Sequence, residues 1–304
     1  MVPLCLRSGY TTRALQYLNM ADNRIFKLTR VKSLDCYSEY EYSDPVEREQ
    51  TISWKDFRLQ ENLSNDCQKN EYDYQNDFFI NLDSLDVKFV KRLLYRQTHP
   101  VCALDSFLIA RSYTDPQFLK DIIGTKLIAA AHYDEAIPYL KTVSERFNKS
   151  RNIYPYCRYN PFTMKKNGQP DAFYRLHFAE KMAALEQQIA TCQEPNDKAE
   201  LMLRYVAGMK HSTDYRCWPL TSFYRGEWYC FPFYSNYQQM LESELSNRAE
   251  RIKWEAFALF TDERRAAKAY YEWKMFKTAV NRYPKTETAK FIQGHCDVLK
   301  DYQW

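Results

Sequence analysis

From about residue 83 onward, apolar side chains recur every three or four positions, the period of a helix with one buried face. In "LDSLDVKFVKRLLYRQ" Leu85, Phe89 and Leu93 stand at i, i+4 and i+8, and Asp83 or Ser84 is placed to cap the first turn. "YTDPQFLKDIIGTKLIAAA" opens with Asp115 as a cap and Pro116 at the first helical position, where a missing N–H costs nothing. "DAFYRLHFAEKMAALEQQIATC" carries Phe178, Met182, Leu185 and Ile189 on one stripe. "NDKAELMLRYVAG" sets Asp197 and Glu200 at capping-box spacing and predicts a stop near Gly208. Residues 236–302 read as two or three long helices, broken near Thr261-Asp262 and at Tyr283-Pro284. No alternating run of strand type occurs, and the Asn-Gly of "KKNGQP" has polar flanks that mark a loop tip. The fold class predicted is all-α.

Two stretches depart from this period. Residues 23–82 form a long acidic, Tyr-rich, non-repetitive excursion, and residues 148–170 read as a connection with two or three turns. The organisation predicted is a helical element at 1–22, the irregular segment at 23–82, and a helical domain over 83–304.

Within that domain "GTKLIAAAHYDEAIPYLKTVSERF" has an order of small and large positions with a packing meaning. Two antiparallel helices that nest closely, and stack on further pairs, need a small residue at each close approach and bulky ones between. Gly124 and Ala136 are the small positions, twelve apart, with Leu127 between them and Leu140 and Val143 following. This arrangement resembles the tetratricopeptide repeat, over about residues 117–150. Lys120 departs from it, standing where an aromatic is common, and no Pro closes the unit. "SGYTTRALQYLNMAD" resembles the second helix of the same repeat, with Ala14, Leu18 and Ala21 at the matching places; its first helix would lie before Met1, so the chain is expected to be the C-terminal part of a longer repeat array or to begin on an incomplete pair. A third trace, "AAKAYYEWKMFKTAVNRYPKTETAKFIQGHCDVLKDY", keeps a Tyr-Pro-x-Thr junction and the following Ala289 at stretched spacing. The block "LRYVAGMKHSTDYRCWPLTSFYRGEWY" is similar to helical-repeat proteins of Bacteroidota cell envelopes, a resemblance that implies no activity. Together the resemblances imply an irregular α-solenoid of stacked helix pairs.

Glycine narrows the chemistry. The chain has 6 in 304 residues, none clustered. Phosphate-cradling loops and dinucleotide turns need clustered glycines so that bare backbone can approach the ligand, and none can be built here. Nine scattered cysteines without a CxxC pair make neither a disulfide framework nor a zinc site. The net charge of +4 is unevenly placed. Residues 35–78 hold twelve acids and four bases, a local −8, which leaves +12 on the remainder. A basic remainder can attract anionic partners, or can be answered by the acidic segment of its own chain. No recognised nucleic-acid motif accompanies it, and no nucleic acid is expected as partner. No apolar run approaches the ~18 residues of a membrane span, and the N-terminus lacks the apolar core of a secretory signal. As given the chain reads as soluble; an export signal on an upstream segment would make the cell envelope or periplasm its expected address.

The densest feature is residues 215–237, where ten of 23 side chains are aromatic. Tyr215, Trp218, Tyr224, Trp228, Tyr229 and Phe231, with Arg216 and Arg225 for polar contacts, suit either a groove for peptide or glycan or a bulky joint between helical layers. Five histidines are dispersed, and His99 with Cys102 has helical i, i+3 spacing without a visible orienting group or oxyanion site. No catalytic residue, metal or cofactor is predicted. The function expected is a non-catalytic helical-repeat module that binds a protein or peptide on a concave face. The alternative is an envelope protein that binds glycan or peptide through the aromatic block.

Overall fold

The computed structural model describes residues 85–110, 112, 116–150, 153–222 and 236–294, together with 12–13, 15–17, 20, 31–32, 47–48 and 82. Its helices are α1 (Val87–Thr98), α2 (Ala103–Ile109), α3 (Pro116–Ala129), α4 (Tyr133–Leu140), α5 (Glu145–Lys149), α6 (Tyr174–Thr191), α7 (Pro195–Ser212), α8 (Asn236–Leu259), α9 (Glu263–Glu272), α10 (Phe276–Arg282) and α11 (Glu287–Gly294). Single 3-10 turns occupy Tyr154–Tyr156 and Trp218–Leu220. A two-residue antiparallel ladder pairs β1 (Val31–Lys32) with β2 (Glu47–Arg48) inside the acidic stretch and leaves the all-α class unchanged. Contacts divide the chain into a first unit, residues 1–180 with 211–245, and a second, residues 181–210 with 246–304. The division runs through the stretch 83–304 read above as one helical domain.

In the first unit α3 packs against both α1 and α4. Eleven of its fourteen residues are buried, so it is a central helix, apolar on nearly every side. Its buried Asp121 is balanced by Arg175 of α6, Oδ1 to Nη1 2.6 Å. α1 is capped by Asp86, whose Oδ1 accepts the Lys88 N–H at 2.8 Å, in place of the predicted Asp83 or Ser84, and its buried residues are Val90 and Leu93. Asp105 of α2, wholly buried, accepts from Arg13 (2.7 Å), Arg96 (2.9 Å), Gln16 (3.2 Å) and the Val101 N–H (3.0 Å). Burial alone would raise its pKa; these four donors outweigh burial and hold the carboxyl well below the usual range.

In the second unit Phe257 of α8 stacks on Tyr270 of α9 with centroids 4.1 Å apart, in a core with Met202, Leu203, Ala279 and Ile292. α9, α10 and α11 each touch the other two. Asn196 fastens the bend between α8 and α9, its Oδ1 accepting the N–H groups of Thr261 and Asp262 at 2.9 Å. Two sequence expectations change here. α7 starts at Pro195 with Glu194 Oε2 accepting the Asp197 N–H at 2.6 Å, so Asp197 and Glu200 form no capping box. Both bind Arg265 instead, at 2.6 and 2.8 Å. The helix also runs past Gly208, which stays helical and buried. Residues 236–294 make four helices, because a third break falls at Trp273–Met275.

That third break reveals a recurrence. In the α3–α4 hairpin Ala131 turns the chain with φ 56°, its N–H reaches Ile128 O at 2.9 Å, and the His132 N–H reaches Leu127 O at 2.8 Å. In the α9–α10 hairpin Lys274 has φ 58°, its N–H reaches Tyr271 O at 2.9 Å, and the Met275 N–H reaches Tyr270 O at 2.8 Å. One constant shift along the chain carries every position of the first turn onto the second. The same shift carries Gly124 to Ala267, Ala136 to Ala279 and Val143 to Thr286, all buried. Left-handed backbone disfavours any residue with a Cβ. Ala131→Gly and Lys274→Gly are therefore each expected to stabilise by about 0.5–1 kcal/mol. A rise in thermal midpoint for both variants checks this, and a fall for either refutes the shared geometry.

Candidate functional site

The predicted packing residues meet in one place. Gly124, Leu127, Ala136, Leu140 and Val143 are all buried in the α3–α4 hairpin. Gly124 lies so close to α4 that an added Cβ would stand 2.5 Å from both Cγ and Cδ2 of Leu140. Ala14, Leu18 and Ala21 lie outside the described residues; their helical neighbours Leu15 and Gln16 are buried.

The aromatic block divides. Tyr215 is 65 % exposed, with the Arg216 guanidinium 5.3 Å from its ring centroid. Arg216 is itself fixed by Asp214, at 2.9 Å from Nε to Oδ1. Trp218 points inward, 7 % exposed, with Tyr156 against it at 5.6 Å, and its 3-10 turn packs on α3. Tyr224, Arg225, Trp228, Tyr229 and Phe231 lie outside the described residues. Of the eight predicted groove residues, then, one is turned to solvent, one is half-buried and one is packing.

Beside the hairpin, a recess of about 380 Å³ including its open mouth is lined by Asp121, Tyr154, Cys157, Asp171, Tyr174 and Arg175 among others. Its polar groups are committed to structure. The Arg175 guanidinium donates Nη1 to Asp121, Nε to Pro219 O at 2.6 Å and Nη2 to Ser222 O at 2.9 Å, joining α3, α6 and the turn at Trp218–Leu220. Tyr174 donates to Tyr159 O at 2.5 Å, and burial keeps its hydroxyl protonated. Burial likewise pushes the Cys217 thiol up to about 11, so at neutral pH it is not the thiolate a nucleophile requires. Asp171 holds His177 Nδ1 at 2.7 Å on an exposed edge and caps the Phe173 N–H with its other oxygen.

His99 and Cys102 do not act as a pair. The His99 ring stacks on Tyr95 at 4.6 Å with Nδ1 beside Tyr95 O and Thr98 Oγ1, while Cys102 Sγ accepts from Arg13. Among the described residues no three His, Cys, Asp or Glu side chains converge as a metal would require, and no helix is long and apolar enough to cross a membrane. No protein-family model, curated protein or solved structure matches the chain. The chain is an all-α protein, and its function has to be read from its own surfaces.

Proposed function

We propose that this chain is a helical-repeat module of tetratricopeptide type, without catalytic activity, that binds a protein or peptide. One observation carries the reading: a helical hairpin of the same turn geometry is built twice, with a left-handed residue at the same turn position and buried small residues at the same places, from sequences that share few side chains. In repeat modules the packing positions recur while the outer side chains are free to vary with what is bound.

Selection of a displayed random peptide library on the purified chain, followed by calorimetry on the enriched peptides, tests it. The expected result is one enriched sequence class with a Kd of about 1–100 µM, ordinary for a transient peptide interface. Absence of enrichment, with binding instead on a glycan array that is lost in Tyr215→Ala, would favour the aromatic-block alternative.

A further inference from the structure

We propose that the face of α3 that carries Asp121 is a peptide-binding site, and that residues 217–222 of the chain itself are its resident ligand, a short aromatic–proline–aliphatic turn. The inference rests on the peptide-binding reading above and names one site and one class of ligand for it.

Comparison of the two hairpins shows that this face is one the repeat can leave open. The shift that carries the first turn onto the second also carries Asp121, Thr125 and Ala129, a stripe at i, i+4 and i+8 of α3, to Arg264, Lys268 and Glu272 of α9. All three are exposed in α9, and all three are buried in α3. The hairpin alone therefore does not cover the stripe. In the first unit α1 and α4 pack on α3, and so does the 3-10 turn Trp218–Leu220. At Asp121 the cover is Arg175, whose guanidinium joins that carboxylate to the turn.

The turn is held as a bound peptide is held. Two of its main-chain carbonyls, Pro219 O and Ser222 O, accept from Arg175, and carbonyls are groups that any sequence offers. Selectivity falls to two buried apolar anchors, Leu220 and Trp218, the latter against Tyr156. The conformation is the turn's own. The N–H groups of Leu220, Thr221 and Ser222 close on Cys217 O and Trp218 O at 3.0–3.2 Å, and Pro219 fixes one φ. A ligand that brings its own turn loses little entropy on binding. The recess beside the hairpin reaches Arg175, so solvent has access to the clamp. A partner presenting the same aromatic–proline–aliphatic turn competes for that clamp, and the resident turn regulates its access.

The wild-type chain reports the exchange through its own thiols. Cys217 opens the resident segment and is buried with it, whereas Cys157, also buried, lies outside it. The probe is a synthetic peptide of residues 214–222 with serine in place of its cysteine. It is used at about 1 mM, the effective concentration of a tethered segment, with a scrambled peptide as control. Maleimide labelling of each cysteine is read by mass spectrometry. Expected is labelling of Cys217 about tenfold faster or more with the peptide, because ligand captures the open site by mass action, and no change at Cys157. Leu220→Ala, which weakens one anchor of the resident turn, should raise the affinity of the fluorescein-labelled peptide by about tenfold in anisotropy, as the competent site becomes more populated. The proposal is overturned if the peptide leaves Cys217 unchanged, if Cys157 accelerates in step, or if the scrambled peptide acts equally. It is equally overturned if Leu220→Ala fails to raise the affinity, or exposes Cys157 and Cys217 together, which would make the turn part of the core. Peptides enriched from the random library that bind without accelerating Cys217 would remove this site and leave the module's peptide-binding role standing.

Discussion

Replacing Arg175 by Met is expected to cost about 3–5 kcal/mol, the usual penalty for removing one partner of a buried ion pair. The side chains of Arg175 and Asp121 are only 7 % and 2 % exposed. Methionine fills most of the volume, so the loss comes from what is left behind. A carboxylate stays in the interior without its counter-charge, and the carbonyls of Pro219 and Ser222 lose their donors. Each orphaned carbonyl adds about 1 kcal/mol or more. Arg175→Lys should fall between, because one ammonium cannot reach three acceptors arranged for a fork. The decisive comparison is the double variant Arg175→Met/Asp121→Leu. Removing both charges should recover most of the loss, since apolar residues often replace a buried pair without penalty. Hydrogen exchange of the α3 amides with urea denaturation measures all three. A single Arg175→Met variant within about 1 kcal/mol of wild type would show that the pair is solvated and that this junction is held by packing alone.

This pair also marks where the sequence stops being legible. Asp121 lies in α3 and Arg175 in α6, and a local window sees two charges among apolar neighbours without seeing that they meet. Asp105 is harder still, because its donors Arg13 and Gln16 come from the other side of the long acidic segment. Local signals did place several boundaries correctly. Pro116 opens α3, Asp262 caps α9 through the Arg264 and Arg265 N–H groups, and Pro284 follows the end of α10. They failed where a residue has two uses. Asp197 and Glu200 have the spacing of a capping box but pair with Arg265, and Gly208 ends a helix only if the chain turns left-handed there, which it does not.

The second hairpin was blurred for a related reason. Its turn residue is Lys274, where a glycine or asparagine would have announced left-handed backbone. Its small first-helix position is Ala267, and a half-buried Tyr283 replaces the leucine. Both partners are larger there, and the tyrosine is only half-buried, so the turn and the small positions recur while the motif does not. The aromatic block drew attention by density, which does not tell a groove from a joint: of its candidate residues among the described ones, Tyr215 is exposed, Arg216 half-buried and Trp218 buried.

The different residues at these equivalent positions predict opposite tolerances. At Gly124 a methyl group must displace Leu140, whose Cγ and Cδ2 already occupy its place at 2.5 Å. Alanine gains about 1 kcal/mol of helix propensity over glycine, against an overpacking cost of about 1–3 kcal/mol. The branch atom Cγ is itself in the way and cannot swing aside as a side-chain tip would, so the clash should win and Gly124→Ala should destabilise. Gly124→Val adds two further carbons and a β-branch, and is expected to lose about 3 kcal/mol or more. Leu140→Ala alone should cost about 2–5 kcal/mol by opening a cavity. The double variant Gly124→Ala/Leu140→Ala should be more stable than the sum of its singles by about 1–3 kcal/mol, because each change makes room for or fills in for the other. At Ala267 the sign reverses: Ala267→Gly should destabilise, losing propensity and a buried methyl with no clash to relieve. Urea denaturation of the five variants reads every term. If Gly124→Ala proves neutral or stabilising, close approach to Leu140 is not what selects glycine in α3, and the correspondence between the two hairpins reduces to their turns.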